Sequence, residues 1–221
     1  MKKSVKIAAA LLRREELDRM RGVGGTVSKR PKKRIKHLSV REVRRFFGAI
    51  PREKLRDRLL FDLIYHYALR RTEACLIRLE DFDLKADVFD VHRLKGGDSH
   101  PYPLFPATKR LLLKYLDQPR RLWSRDLFPS RQRIGEPISA SLVALLFRRY
   151  AHAAGLPADR CHVHVFRHSM AMHMAEDGFD GFDVKDWLGH TAISSTQVYM
   201  HVSERRRSKN LRRMLGSREI L

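Results

Sequence analysis

The chain has 221 residues, 43% of them hydrophobic, enough for one ordinary core plus an arm, or for two small domains. Forty-six Lys and Arg against 25 Asp and Glu leave a formal charge of +21, so a polyanionic partner is the leading expectation. No stretch approaches the ~20 apolar residues of a membrane span, and Cys75 and Cys161 are too few for a disulfide framework, so no membrane partner and a reducing, intracellular setting are expected.

The charge is uneven. Residues 1–36 hold 13 basic and 3 acidic side chains, a net +10, and the rest keeps 33 basic against 22 acidic, a further +11. Ribosomal or membrane-surface binding would suit such a balance equally well, so charge alone does not select the partner. Met1-Lys2-Lys3 followed by Ile7 to Leu12 faintly resembles a signal peptide. Its apolar run is short and Arg13-Arg14-Glu15-Glu16 follows at once, so no cleaved leader is expected. Ser4 to Met20 has the spacing of an amphipathic helix, with Ile7, Leu11, Leu12 and Leu17 on its apolar side. Gly22, Gly24 and Gly25 break it. Lys29, Arg30, Lys32, Lys33 and Arg34 then form a charged linker with no apolar content, read either as a DNA-binding arm or as a solvated tail.

A globular domain is expected over 37–221, behind an arm of 1–36. Ser39-Val40-Arg41-Glu42 is a capping box opening a helix that buries Val43, Phe46, Phe47 and Ile50, and Pro51 closes it. A second helix runs to about Ala68, and a short third follows Thr72 and ends near Leu79. The period then changes. Val88, Phe89 and Val91 predict a strand, Lys95-Gly96-Gly97-Asp98 a hairpin turn, and Pro101 and Pro103 confine the return strand to an edge. Further helices are predicted over Ala107–Leu116, Ala140–Ala154, Val165–Asp177, Val184–Leu188, Ser194–Met200 and Ser203–Leu215. Gly155, Gly178 and Gly189 stand at helix ends. The expected fold class is mainly α with a small antiparallel β-sheet.

The chemistry lies late in the chain, in His164-Val165-Phe166-Arg167-His168, Leu188-Gly189-His190 and Ser195-Thr196-Gln197-Val198-Tyr199. A phosphodiester under attack needs cations around its non-bridging oxygens and a nucleophile able to hold the phosphate. Tyr199 supplies the second. Its phenol, with an ordinary pKa near 10, needs help losing its proton or an electrophile already primed. Arg70 and Arg167 are guanidiniums suited to paired hydrogen bonds with phosphate oxygens. His164 lies three residues before Arg167, so a helix would put both on one face. Lys95, at a hairpin tip, is long enough to protonate a leaving oxygen.

Each residue also has a plainer reading: a half-buried packing tyrosine, surface arginines, an exposed turn lysine, satisfied core histidines. Cys161, His162, His164, His168 and His173 invite a zinc site, but their spacing matches no paired Cys/His arrangement, so no metal is expected. There is no phosphate-binding glycine loop, and no nucleotide or other cofactor is expected.

Taken together, the boxes resemble the tyrosine recombinases of the integrase family. Ala68-Leu69-Arg70-Arg71-Thr72-Glu73 is similar to the family's Gly-Leu-Arg-x-Ser-Glu segment, which selects Arg70 over Arg71. Leu94-Lys95-Gly96-Gly97 resembles the hairpin-lysine segment. His164 to His168 resembles His-x-Leu-Arg-His, Leu188-Gly189-His190 matches Leu-Gly-His, and Ser195 to Tyr199 resembles Thr-Thr-x-x-Tyr. The likeness covers roughly residues 37–208. It implies catalytic roles for Arg70, Lys95, His164, Arg167, His190 and Tyr199, acting through a 3′-phosphotyrosyl intermediate without metal or ATP. It also implies double-stranded DNA as partner, a tetramer on DNA with a monomer when free, and a cytoplasmic, nucleoid-associated protein of a mobile element.

Three departures from the family pattern stand out, one of them Asp98 in a turn that is often basic. Only 36 residues precede the catalytic stretch, where many members carry a core-binding domain of about a hundred, so the chain resembles the short members such as the fimbrial-switch invertases. Ala68 replaces the usual glycine. A DNA-binding regulator that keeps the fold, and a type IB topoisomerase-like nicking-closing enzyme, remain as alternatives.

Overall fold

The computed structural model describes residues 35–94, 96–118, 124–192, 196 and 199. The predicted helices over Ser4–Met20, Ser194–Met200 and Ser203–Leu215 lie outside the described residues, except for Thr196 and Tyr199, as does the basic arm.

Helix α1 (Val40–Gly48) opens on the expected capping box: the Glu42 amide donates to Ser39 Oγ at 3.3 Å and the Ser39 amide to Glu42 Oε2 at 2.8 Å. Val43 and Phe46 turn inward. Phe47, expected in the core, is half-buried, because it lines an open groove beside Tyr65 and His66 while stacking 5.9 Å from Phe166. Helix α2 (Leu55–His66) buries Leu59, Leu60, Phe61, Leu63 and Ile64, a near-continuous run that leaves little polar face. Its buried Asp57 is satisfied by Tyr150 Oη at 2.7 Å and by Arg56.

Helix α3 (Arg71–Cys75) stops four residues short of the predicted end at Leu79. The backbone beyond it is claimed by tertiary pairing: Leu127 donates to Ile77 O at 2.8 Å and Leu79 to Arg125 O at 3.0 Å, around an Arg78–Asp126 bridge. A 3₁₀ turn over Leu79–Asp81 follows.

The sheet has three antiparallel strands in the order β1 (Phe82–Asp83), β2 (Val88–Val91) and β3 (His100–Pro103). Strand β1 was not anticipated; two residues carry no periodicity, and its anchor is a tertiary stack of Phe82 on Phe89 at 4.4 Å. Pro101 and Pro103 pair opposite Asp90 and Val88 on an edge strand, as expected of residues lacking an amide donor. The β2–β3 connection spans residues 92–99, longer than a tight two-residue turn.

Helix α4 (Pro106–Leu116) starts on proline, and α5 (Ala140–Ala153) is capped by Ser139 Oγ, which accepts from the Leu142 amide at 3.2 Å. Helix α6 (His164–Asp177) ends at Gly178, φ +102°. Helix α7 (Gly181–Leu188) begins before the predicted Val184, because the Asp180 carboxylate accepts from the Phe182 and Asp183 amides at 2.7 and 3.0 Å.

The main core centres on Phe46, whose ring lies 4.7 Å from Phe147, 4.8 Å from Phe166 and 5.3 Å from Phe61. Aromatic contacts of this kind tie α1, α2, α5 and α6 together. A second, smaller cluster joins Ala68, Ala171, Met172, Met174, Val184, Leu188 and Tyr199. It forms the floor of the candidate site. Both cysteines are free and buried; burial raises the Cys75 thiol to about 11 and that of Cys161 above its usual value. No helix among the described residues is long and apolar enough to cross a membrane.

Candidate active site

The site is built where two chain reversals meet the start of α6. After α2, Ala68 adopts φ +49°, Leu69 donates to Ile64 O at 3.1 Å, and Ala68 donates to Tyr65 O at 3.2 Å. This is a helix ending of the kind that normally takes glycine, so the family's preference for glycine at this point has a local cause. Beyond it stands Arg70. Its amide donates to Glu73 Oε2 at 2.7 Å, and its Nη1 donates to Glu73 Oε1 at 2.6 Å and to Leu94 O at 3.3 Å. Glu73 is buried. Burial works against its charge, but the Arg70 amide and guanidinium, with Arg93, hold its carboxyl below the usual range.

Arg167, on the first turn of α6, is 2% exposed. Its Nη1 donates to Ala68 O at 2.6 Å and its Nη2 to Leu188 O at 2.5 Å, so backbone carbonyls from two other segments hold the guanidinium. Burial and the neighbouring Arg93 and Arg70 lower it to about 10, leaving it charged at neutral pH. His164 opens the same helix, exposed, with its ring 4.7 Å from that of His168.

The second reversal ends α7. Gly189 takes φ +61°, with Gly189 donating to Asp186 O at 2.8 Å and His190 to Lys185 O at 3.0 Å. His190 Nδ1 lies 3.3 Å from Thr196 Oγ1. Burial first, then Arg167, Arg70, Arg93 and His164, depress His190 to about 4. His164, exposed at its edge, is lowered by the protein packed around the rest of its ring and by Arg167.

Tyr199 is 4% exposed, and its hydroxyl lies 2.7 Å from His168 Nδ1. Burial raises the phenol to about 12, with Arg167 pulling the other way. His168 is lowered to about 4 by burial, then by His164, His162, Arg167 and His190. At neutral pH both partners are uncharged.

Arg70, His164, Arg167, His190 and Tyr199 are therefore brought into one electrostatic neighbourhood. Lys95 and the arm residues Lys29, Arg30, Lys32, Lys33 and Arg34 lie outside the described residues. Three members were not singled out from the sequence. Glu73 and His168 sit inside the quoted boxes without a role, and the spacing of Glu73 three residues after Arg70 is the signal that could have marked it. Arg93, one of a run of basic residues in the sequence, carries no local signal of its burial. The zinc reading is not supported: Cys161 Sγ donates to Pro157 O at 3.3 Å, and His173 Nδ1 pairs with Tyr65 Oη at 2.8 Å. Beside the site, a cleft is lined by Arg70, Arg71, Arg148, His162 and His164, and among the described residues no carboxylate pairs with Arg71, Arg148 or His162.

Fold and site together define a mainly helical α+β domain that sets a buried tyrosine–histidine pair beside a cluster of cations. The model of the phage integrase family matches residues 36–206, and the chain belongs to that family. It is 33% identical over 193 residues to the tyrosine recombinase XerA of Pyrococcus furiosus, covering 86% of this chain and 63% of that protein. It is 34% identical over 148 residues to XerC of Xylella fastidiosa, covering 67% of this chain and 49% of that one. The chain thus spans about half to two thirds of the length of these relatives. The crystal structure of XerA recombinase superposes with a TM-score of 0.67 at 23% identity, covering 85% of this chain and 67% of that one. XerH bound to its difH substrate before cleavage gives 0.65 at 22% identity, over 81% and 55%. These likenesses establish the fold.

Proposed function

We propose that the protein is a site-specific DNA recombinase that cleaves and rejoins duplex DNA through a 3′-phosphotyrosyl intermediate. The observation that carries this reading is Arg167, which acts on Tyr199 and, together with Arg70, on His164 and His190, while His168 holds the Tyr199 hydroxyl. Guanidiniums that outnumber the buried Glu73 carboxylate beside them are arranged for an anion. Named tyrosine recombinases among its relatives support the same chemistry.

In the proposed reaction Tyr199 Oη attacks the phosphorus, its proton passes to a non-bridging phosphate oxygen and on to solvent, and the bond to the 5′ oxygen breaks. Arg70, Arg167 and His190 stabilise the added charge of the crowded phosphorane, and His164 holds a phosphate oxygen. Lys95 delivers the proton that the departing 5′ oxygen needs. The phosphotyrosine conserves the energy of the broken bond, so a 5′ hydroxyl of another duplex reverses the step without ATP. Neither metal nor nucleotide enters these steps. The cleft through Arg71, Arg148 and His162 would carry the flanking backbone, with Lys29, Arg30, Lys32, Lys33 and Arg34 adding contacts from the arm. Exchange between two duplexes calls for four such sites, hence a tetramer on DNA, and the work belongs in the cytoplasm with the nucleoid.

The test is a suicide substrate, nicked near the recombination site in the protein's own genomic flanks. A covalent protein–DNA adduct is expected, and Tyr199→Phe should abolish it. Adduct persisting in that variant removes Tyr199 as nucleophile; none from the native protein favours a regulatory role.

A further inference from the structure

Arg93 lies in the loop after β2, its side chain wholly buried, and takes no part in the chemistry proposed above. Buried guanidiniums are costly unless their donors are matched. Here Nη1 and Nη2 are matched to five acceptors, and Nε alone is buried with no partner among the described residues. Nη1 donates to Glu73 Oε2 at 3.3 Å and to Ala68 O at 3.4 Å. Nη2 donates to Tyr67 O at 3.0 Å, to Tyr102 Oη at 2.9 Å and to Trp187 O at 2.7 Å. Tyr102 in turn donates to Trp187 O at 3.0 Å. The Arg93 amide donates to Ser99 Oγ at 2.8 Å, closing the loop behind it.

Tyr102 stands on β3, and the other four acceptors belong to segments that carry a candidate catalytic residue. Glu73 holds Arg70, and Ala68 O is also the acceptor for Arg167. Trp187 lies three residues before His190, at the end of α7. Leu94, next to Arg93 and next before Lys95, donates its amide to Glu73 Oε1 at 3.2 Å and accepts from Arg70. Two glycines make room for the same side chain. A Cβ on Gly189 would lie 2.8 Å from Arg93 Cγ and Nε, and one on Gly97 would lie 2.9 Å from Arg93 Cβ. Loop and α7 terminus therefore close on Arg93 with no space to spare.

We propose that Arg93 is a positioning residue that registers the Arg70–Glu73 pair, the Ala68 carbonyl and the His190 turn against the hairpin loop that leads to Lys95. The inference rests on the recombinase reading. A lysine at this place would keep the charge beside Glu73, yet one ammonium offers three donors and cannot span acceptors on so many sides. Misplacement on the order of 1 Å at such a site costs about 100-fold in rate.

The test uses the full chain with Arg93→Lys, and with Gly97→Ala, which presses on Arg93 while leaving every charge in place. Without DNA, hydrogen exchange at the Leu94 and His190 amides should speed up in both variants while the amides of α5 keep their protection. Unchanged exchange at Leu94 and His190 overturns the proposal, and general loss of protection reduces Arg93 to a structural role. With DNA, adduct formation should slow about 100-fold at little change in DNA affinity. Much of that deficit should disappear on a substrate whose scissile phosphate is a methylphosphonate. Such a phosphate has one anionic oxygen fewer for Arg70 and Arg167 to meet. An equal deficit on both substrates overturns the positioning role. Absence of adduct from the native protein sinks the recombinase reading instead, and the exchange arm still decides whether Arg93 sets the register.

Discussion

The Tyr199 hydroxyl and His168 Nδ1 lie 2.7 Å apart, and burial pushes their proton affinities in opposite directions, to about 12 and about 4. A base that weak does not take the phenol's proton before attack. In the proposed reaction the pair instead aims the oxygen, and the proton passes to a phosphate oxygen as the new bond forms. His168→Asn, which offers an amide near the place of Nδ1, should therefore retain most of the cleavage rate. His168→Ala should lose about 100-fold, within the range that general acid–base and orienting groups supply. Single-turnover adduct formation on a nicked substrate separates the two. A variant with Asn as slow as that with Ala would make His168 the proton acceptor.

The depressed histidines have a consequence for stability. His190 and His168 fall to about 4, below the ordinary value of about 6.5 that they recover on unfolding. Between those limits the unfolded chain binds more protons, so stability falls as pH drops from about 6.5 towards 4 and levels off below. Denaturant midpoints measured at intervals from pH 7 to 4 should decline over that window, and His190→Gln should flatten part of the decline. An anionic phosphate among the same cations would favour protonated His190. DNA binding should take up protons near pH 5 to 6, read as buffer-dependent heats in calorimetry.

Much of this architecture is written locally. The Ser39–Glu42 box, the glycines at 178 and 189, the strand at Val88–Val91 and the prolines of β3 each act through neighbours in sequence, so their positions follow from residue chemistry alone. The end of α3 does not, because the pairing of Ile77 and Leu79 with Leu127 and Arg125 is made by residues nearly fifty positions away. Arg93 escapes for the same reason. Its five acceptors lie on three other segments, the farthest at Trp187. The candidate catalytic residues were legible through family resemblance. The shell that holds them was not, since a buried arginine and an exposed one look alike in sequence.

Gly189 and Ala68 make an opposed pair. Both hold left-handed backbone, φ +61° and +49°, at the ends of helices. At 189 an added methyl meets Arg93 at 2.8 Å and Asp98 O at 2.9 Å, so strain and steric overlap act together. Gly189→Ala should cost about 2–4 kcal/mol, combining the left-handed penalty with overpacking. At 68 the methyl is already present and buried. Ala68→Gly relieves about 1 kcal/mol of backbone strain and forfeits a buried methyl of about 0.8 kcal/mol, so its midpoint should barely move. Urea denaturation of the two variants should show one large shift and one negligible shift.

Glu73 is the buried carboxylate facing both Arg70 and Arg93, at 2.6 and 3.3 Å. Glu73→Gln keeps the shape and a single carbonyl acceptor but removes the charge that balances two guanidiniums. Leaving one partner of a buried pair uncompensated typically costs about 3–5 kcal/mol, and the residual carbonyl should hold the loss toward the lower end. The site would also become more cationic. Affinity for DNA should therefore be kept or rise slightly, while adduct formation falls because Arg70 loses its second anchor. Filter binding and single-turnover cleavage on one preparation would read both. A variant that lost affinity and rate in the same proportion would show that Glu73 serves folding of the whole face rather than the aim of Arg70.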